Sequence, residues 1–137
     1  MRRIVLLAFI VGVIDSTSAG DVREKFDGYF QKAAASGYRN CGTVSIGGAN
    51  RETVDSCVQE AFKERRPFFV RYDQLGIDSI VAEGLLFSEA KVLTVVVFDS
   101  WSCSTPYCAS PVTCNSPRIT KTGTGLHVQC STNGYDL

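Results

Sequence analysis

Hydrophobic residues recur along this chain with two different periods. Between Asp21 and Ser36, the residues Val22, Phe26, Tyr29, Phe30 and Ala33 return every three or four positions, which is the spacing of one helical face. Asp21 stands where an N-cap is expected and Gly37 where a helix stops. Tyr38 to Asn50 breaks the pattern and reads as a connector. It holds a Gly47-Gly48 turn signal and a short extended piece at Thr43 to Ile46. A second helical stripe follows, made of Val54, Cys57, Val58, Ala61 and Phe62. It is predicted to run from an N-cap at Asn50 to about Arg65, because Pro67 forbids its continuation.

The period then shortens. Phe68 to Leu75, Ser79 to Phe87 and Lys91 to Ser100 are rich in aromatic and branched residues, with turns at Gly76-Ile77-Asp78 and Ser88-Glu89-Ala90. Such close spacing predicts antiparallel hairpins. In the third segment Leu93, Val95 and Val97 alternate with Val92, Thr94, Val96 and Phe98. Both faces are apolar, so it is predicted to be a central strand covered on both sides. Ile119 to Thr122 and Leu126 to Cys130 form a last predicted hairpin around Gly123-Thr124-Gly125. Leu126, Val128 and Cys130 face one way, His127 and Gln129 the other. The last seven residues are expected to fray.

The sum predicts a single α+β domain over residues 21–137. Its N-terminal helices pack in two layers on an antiparallel β-meander, an arrangement that is cystatin-like by analogy. That analogy carries no function. The helices take one face of the sheet. What covers the other face is open, a dimer contact being one answer, and the oligomeric state is open with it.

Residues 1–20 stand apart from this domain. Arg2 and Arg3 precede an apolar run from Ile4 to Ile14, and Asp15 to Gly20 is polar and small. That is the layout of a secretory signal peptide, with cleavage after Ala19 or after Gly20. The run is about half the ~20 residues a membrane span requires, and no later stretch is long enough, so no span is expected in the mature chain. The chain carries 14 basic and 14 acidic residues, and loss of the signal leaves it close to neutral. A neutral domain lacks the electrostatic footprint of a nucleic-acid or anionic-lipid binder.

Six cysteines, Cys41, Cys57, Cys103, Cys108, Cys114 and Cys130, all follow the signal. An even number in an exported chain predicts a disulfide framework. Cys41 and Cys57 stand apart from the others and are expected to pair, leaving the remaining four to pair among themselves. Three of those four fall in a Ser-, Pro- and Thr-rich segment at 101–117, which reads as a cross-linked loop. A zinc site built from Cys103, Cys108, Cys114 and Cys130 fits poorly, because their spacings sit at or beyond the edge of the usual close pairs. No metal and no other cofactor is expected.

Catalytic sets are thin. The single histidine, His127, is expected on the outward side of an edge strand, and no G-x-S-x-G turn presents a serine. No residue is assigned a catalytic role. Arg71, Asp73 and Asp78 surround the first hairpin and are candidate binding residues, with Trp101 and Tyr107 beside the cysteine-rich loop. Arg71 and Asp73 lie two positions apart on one strand face, where a surface ion pair contributes under about 1 kcal/mol. Asp78 reads as turn chemistry, and Trp101 as a lid on the core, with an exposed contact as the alternative.

The segment Arg65-Arg66-Pro67-Phe68-Phe69-Val70-Arg71-Tyr72-Asp73, followed by Gly76-Ile77-Asp78-Ser79, resembles a stretch in small exported bacterial proteins of unassigned function. In those proteins a helix beginning near a cysteine precedes an R-P-F-x-V-R-Y-D strand and a G-I-D-S turn, and Cys57 to Phe62 fits that helix. The resemblance covers roughly residues 40–100. It implies an exported α+β protein and no activity, ligand or catalytic residue, and it does not extend to 101–117.

The expected function is a non-catalytic exported domain that binds a protein or small ligand, or serves an envelope-associated role. A small secreted hydrolase or lyase using carboxylates near the first hairpin is the alternative. Convergence of Arg71, Asp73 and Asp78 in one concave pocket favours the enzyme. Their separation, together with an exposed apolar patch formed by Trp101 and Tyr107, favours binding.

Overall fold

The computed structural model describes residues 19–101, 109–131 and 134–136. The expected signal peptide therefore lies almost wholly outside the described residues, and so do Cys103, Tyr107 and Cys108. Helix α1 spans Ala19–Ala35. Phe26 and Ala33 are buried on its inner face, flanked by Val22, Tyr29 and Phe30. It starts two residues before the expected Asp21. It ends as expected at Gly37, whose φ of 76° lets the Tyr38 and Gly37 N–H groups turn back to the carbonyls of Ala33 and Ala34.

Strand β1 (Arg39–Val44) follows and runs parallel to β2 (Phe68–Leu75). Two parallel neighbours need a long crossover, and α2 (Arg51–Lys63) supplies it. Asn50 precedes α2 without the expected side-chain cap, and its amide nitrogen donates to the Thr43 carbonyl at 2.7 Å. The helix stops before Pro67 through the same paired turn-back as α1, here with Arg65 at a φ of 59°. Strands β3 (Ile80–Phe87) and β4 (Leu93–Asp99) continue from β2 as an antiparallel meander in unbroken register. Strand β5 (Pro111–Cys114) pairs with β4 and completes a five-stranded sheet in the order β1-β2-β3-β4-β5.

A second sheet holds β6 (Arg118–Lys121), β7 (Leu126–Gln129) and β8 (Gly134–Asp136). The expected last hairpin is its β6–β7 pair. His127 thus sits on the central strand of this sheet, not on an edge, with β8 built from residues expected to fray.

The α+β class and the disulfide stapling are as the sequence implies. The layering differs in a way that follows from β1. Once β1 joins the sheet beside β2, α2 must cross one face, and α1 is left the other. Phe68, Val70, Tyr72, Leu85, Phe87, Leu93 and Val95 point to the α2 face. There they meet Val54, Val58 and Ala61 of α2 and Leu126 and Val128 of the small sheet. Ala82, Val96 and Phe98 point to the opposite face and meet Phe26 of α1. The apolar alternation of β4 is therefore covered on both sides within one chain. The five-stranded sheet is mixed, and it lies between two layers of cover.

Cys41–Cys57 ties β1 to α2, with Cα atoms 5.5 Å apart. Cys114–Cys130 ties β5 to the end of β7, at 5.2 Å, and so joins the two sheets. Each closes a loop with a sequence separation of 16, worth about 3 kcal/mol in the chain-entropy account. The bond between Cys114 and Cys130 also removes two of the four sulfurs that a zinc site would have used.

Candidate functional site

On the α1 face, the odd-numbered positions of β2 carry Phe69, Arg71 and Asp73. Arg71 Nε donates to Asp73 Oδ1 at 2.6 Å, and Nη1 donates to Asp27 Oδ1 on α1 at 3.0 Å. The guanidinium carbon lies 5.3 Å from the centre of the Phe26 ring. The Arg71 side chain is only 19% exposed. What the sequence presents as a two-residue surface pair is a partly buried clamp that holds α1 onto the sheet. Asp27 had a weak signal of its own, since it follows Phe26 on the inner face of the first helical stripe.

Beside this clamp a cavity of about 510 Å³ opens between α1 and β1, lined by Asp27, Phe30, Gln31, Asn40, Thr43, Phe69 and Arg71 among others. Its shape depends on two glycines. Gly42, at a φ of 99°, sits where the β1–β2 register shifts, and its N–H donates to Asn40 Oδ1 at 2.8 Å. Gly84 on β3 leaves room for the Phe30 ring, which occupies the space a Cβ would need.

Asp78 does not join this group. It is exposed in the turn between β2 and β3, which closes through the Gly76 N–H on the Ser79 carbonyl at 2.8 Å. The three candidates of the first hairpin are therefore split, Arg71 and Asp73 in the clamp and Asp78 at the tip. Trp101, expected as a core lid, is 76% exposed. Tyr107 lies outside the described residues.

Trp101 has apolar company. Leu75 is the register partner of Ile80, and the Ser100 N–H donates to the Ile80 carbonyl at 3.0 Å. The C-terminal ends of β2 and β4 and the start of β3 thus share one end of the sheet. Leu75 is 71% exposed there, Ile77 is fully exposed and Ile80 is 41% exposed. Ile46, just beyond β1, is also exposed and borders a depression shared with Leu75.

The α2 face holds polar groups the sequence reading did not single out. Tyr72 is fully buried and donates from its hydroxyl to Asp55 Oδ1 at 2.9 Å. Asp55 is 1% exposed, and the Arg51 guanidinium lies 5.5 Å from the centre of the Tyr72 ring. The Tyr72 phenol is held well above its ordinary pKa, first by burial, then by the Asp55 charge and hydrogen bond, with Arg51 opposing. Glu83 is the register partner of Tyr72. Its Oε2 is buried without a hydrogen-bond partner, and burial pushes its carboxyl pKa upward. A clue was present for Asp55, which stands four residues after Arg51 and beside Val54 and Val58 of the inner stripe.

Among the described residues no three His, Cys, Asp or Glu side chains gather to hold a metal ion, and no helix is long and apolar enough to cross a membrane. Comparison with known protein families, curated proteins and solved structures finds no match.

Proposed function

We propose that this chain is an exported, non-catalytic binding module that meets another protein through the apolar end of its five-stranded sheet. The observation that carries this reading is the run of exposed Leu75, Ile77, Ile80 and Trp101 at that end, extended by Ile46. Single exposed apolar residues are ordinary, but a group gathered on two paired strand ends, Leu75 and Ile80, and on the turns beside them, Ile77 and Trp101, marks an interaction surface. Strand pairing holds Leu75 and Ile80, and turn hydrogen bonds from Gly76 N–H to the Ser79 carbonyl and from Trp101 N–H to Asp99 Oδ1 brace the backbone beside Ile77 and at Trp101, which limits the entropy lost on binding. Large apolar and aromatic anchors of this kind are what protein interfaces use at their centres.

Export is part of the same reading. It rests on the signal-like layout of residues 1–20, on the disulfide bonds, and on the resemblance of residues 65–79 to exported bacterial proteins. Disulfides persist in oxidising compartments. A non-catalytic role is supported by the way the candidate carboxylates are used. Asp73 and Asp27 are both engaged by Arg71, and Asp78 stands apart at the hairpin tip.

The test is site-specific photocrosslinking in the producing cells, with the probe placed at Ile77 or, as a control, at Val112. Val112 is also exposed and apolar but lies on β5. The expected result is a discrete crosslinked protein product from position 77, lost when Leu75→Ser and Trp101→Ala are combined, and absent from position 112. Equal yields from both positions, or none from either, would overturn the proposal.

A further inference from the structure

The geometry points to a second and independent site. The cavity between α1 and β1 binds a neutral polyhydroxylated ligand, a sugar ring being the simplest member of the class. Its volume of about 510 Å³ falls within the roughly 300–1,000 Å³ that small-molecule sites occupy. Three features of the lining choose the ligand chemistry.

The first is charge. Arg71 and Asp27 both face the cavity, paired at 3.0 Å; Arg71 also holds Asp73 at 2.6 Å and Arg23 lies 3.8 Å from Asp27, so two cations and two carboxylates balance there. An anion drawn to Arg71 meets the Asp27 carboxylate, and a cation drawn to Asp27 meets the guanidinium. A ligand without net charge meets neither penalty and still finds strong charged hydrogen-bonding groups.

The second is the balance of donors and acceptors. Asn40 has its oxygen occupied by the Gly42 N–H, which orients its amide as a donor. Arg71 uses Nε and Nη1 in its ion pairs, so Nη2 is its remaining nitrogen. Gln31 offers both an acceptor and a donor from an exposed position on α1, and Asp27 accepts only. Hydroxyl groups donate and accept at once, so a polyol pairs with such a mixed set where a purely donating or purely accepting ligand does not.

The third is the aromatic wall. Phe30 and Phe69, with ring centres 6.3 Å apart, present apolar surface against which the C–H face of a sugar ring packs. Phe30 is fixed there because Gly84 yields it the space beneath. The site is thus built on α1 and two strands instead of on loops, and it sits apart from the apolar end formed by Leu75 and Trp101.

The experiment titrates the intact mature protein with methyl glycosides of glucose, galactose, mannose and N-acetylglucosamine. Glucuronate and glucosamine serve as charged counterparts. Binding is read by calorimetry and by NMR shifts of the Gly42 amide and the Asn40 and Gln31 side-chain amides. The expected result is saturable binding of at least one neutral glycoside with shifts at those three residues. The charged counterparts bind more weakly. Gln31→Ala and Asn40→Ala each weaken binding about 3- to 10-fold, the worth of one hydrogen bond. Arg71→Ala also removes two ion pairs of the fold, so Gln31→Ala, at an exposed helix position, is the deciding variant. The inference is overturned if no neutral glycoside binds, if the charged sugars bind as well or better, if the shifts map elsewhere, or if Gln31→Ala binds as the parent does. None of these outcomes bears on the apolar end of the sheet.

Discussion

Replacing Tyr72 by Phe removes a buried hydrogen bond that joins α2 to the sheet interior. The ring remains, so the packing against Val58 and Val70 and the Arg51 contact at 5.5 Å are retained, and no cavity of any size opens. What is lost is a hydroxyl that donates at 2.9 Å to Asp55, a carboxyl 1% exposed with little access to water as a substitute. A hydrogen bond to a charged group contributes about 1.5–3 kcal/mol, and leaving its buried partner unpaired places the cost toward the upper end. For a domain of this size that corresponds to a fall in Tm of about 6–10 °C. Urea unfolding with the disulfides intact reads the change through its midpoint, the slope being unchanged. A double-mutant cycle with Asp55→Ala then returns a coupling of at least about 1.5 kcal/mol. The same contact has an alkaline signature. The Tyr72 phenol is raised above its ordinary 10.0 in the folded state, so its contribution is complete below about pH 10 and is lost as pH rises beyond that. The parent protein therefore loses stability above pH 10 more steeply than Tyr72→Phe. A Tyr72→Phe protein within about 0.5 kcal/mol of the parent, with a coupling near zero, would refute this reasoning.

Other expectations follow from the same interior. Glu83→Gln stabilises the protein at neutral pH. Burial raises the carboxyl pKa of Glu83, so the folded state binds the proton more tightly and stability falls as pH rises above the unfolded value near 4.5. Urea midpoints at pH 7 and below pH 4 check this, the gain being present at the first and absent at the second. Gly84→Ala drives a Cβ into the Phe30 ring and costs about 1–3 kcal/mol as an overpacking change, measured by thermal unfolding. Cys41→Ser with Cys57→Ser lowers stability by about 3 kcal/mol, while Lys121→Ala, which breaks an exposed pair with Glu52 at 3.3 Å, changes it by less than about 1 kcal/mol. A denaturant series on the two variants separates these outcomes.

The elements with strong periodicity were legible in the sequence. β2 spans Phe68–Leu75 as the aromatic and branched run implies, and β3 and β4 begin one or two residues late. The helices and the β6–β7 hairpin agree to within a turn. Cys41–Cys57 followed from isolation along the chain and from the inward face of Cys57. The misses share a cause. β1, Arg-Asn-Cys-Gly-Thr-Val, is polar at alternate positions and broken by Gly42, so its membership of the sheet is decided by pairing with β2 and not by local pattern. β5 begins with Pro111 and lies among turn residues, and β8 has three residues. Their pairing partners are what make them strands. The layer count depended on β1, so it was missed with it. In the candidate site Arg71 and Asp73 were legible as a pair two apart on a strand, but Asp27 is distant in sequence and joins them only through the packing of α1. Glu83 was hidden because burial of a single carboxylate has no periodic signature, and Asp55 was marked only by its place after Arg51 and beside Val54 and Val58. Trp101 was misjudged because an aromatic residue beside cysteines reads as core, whereas its place is at the open end of the sheet.

The proposed export of this chain, with folding around oxidised cysteines, underlies every other reading of it. Peptide mapping of the natively produced, unreduced protein tests it most directly. Export predicts a mature N-terminus at residue 20 or 21 and linked peptides joining Cys41 to Cys57 and Cys114 to Cys130. Material that retains the first eighteen residues and takes up alkylating reagent at those four cysteines without reduction would contradict it.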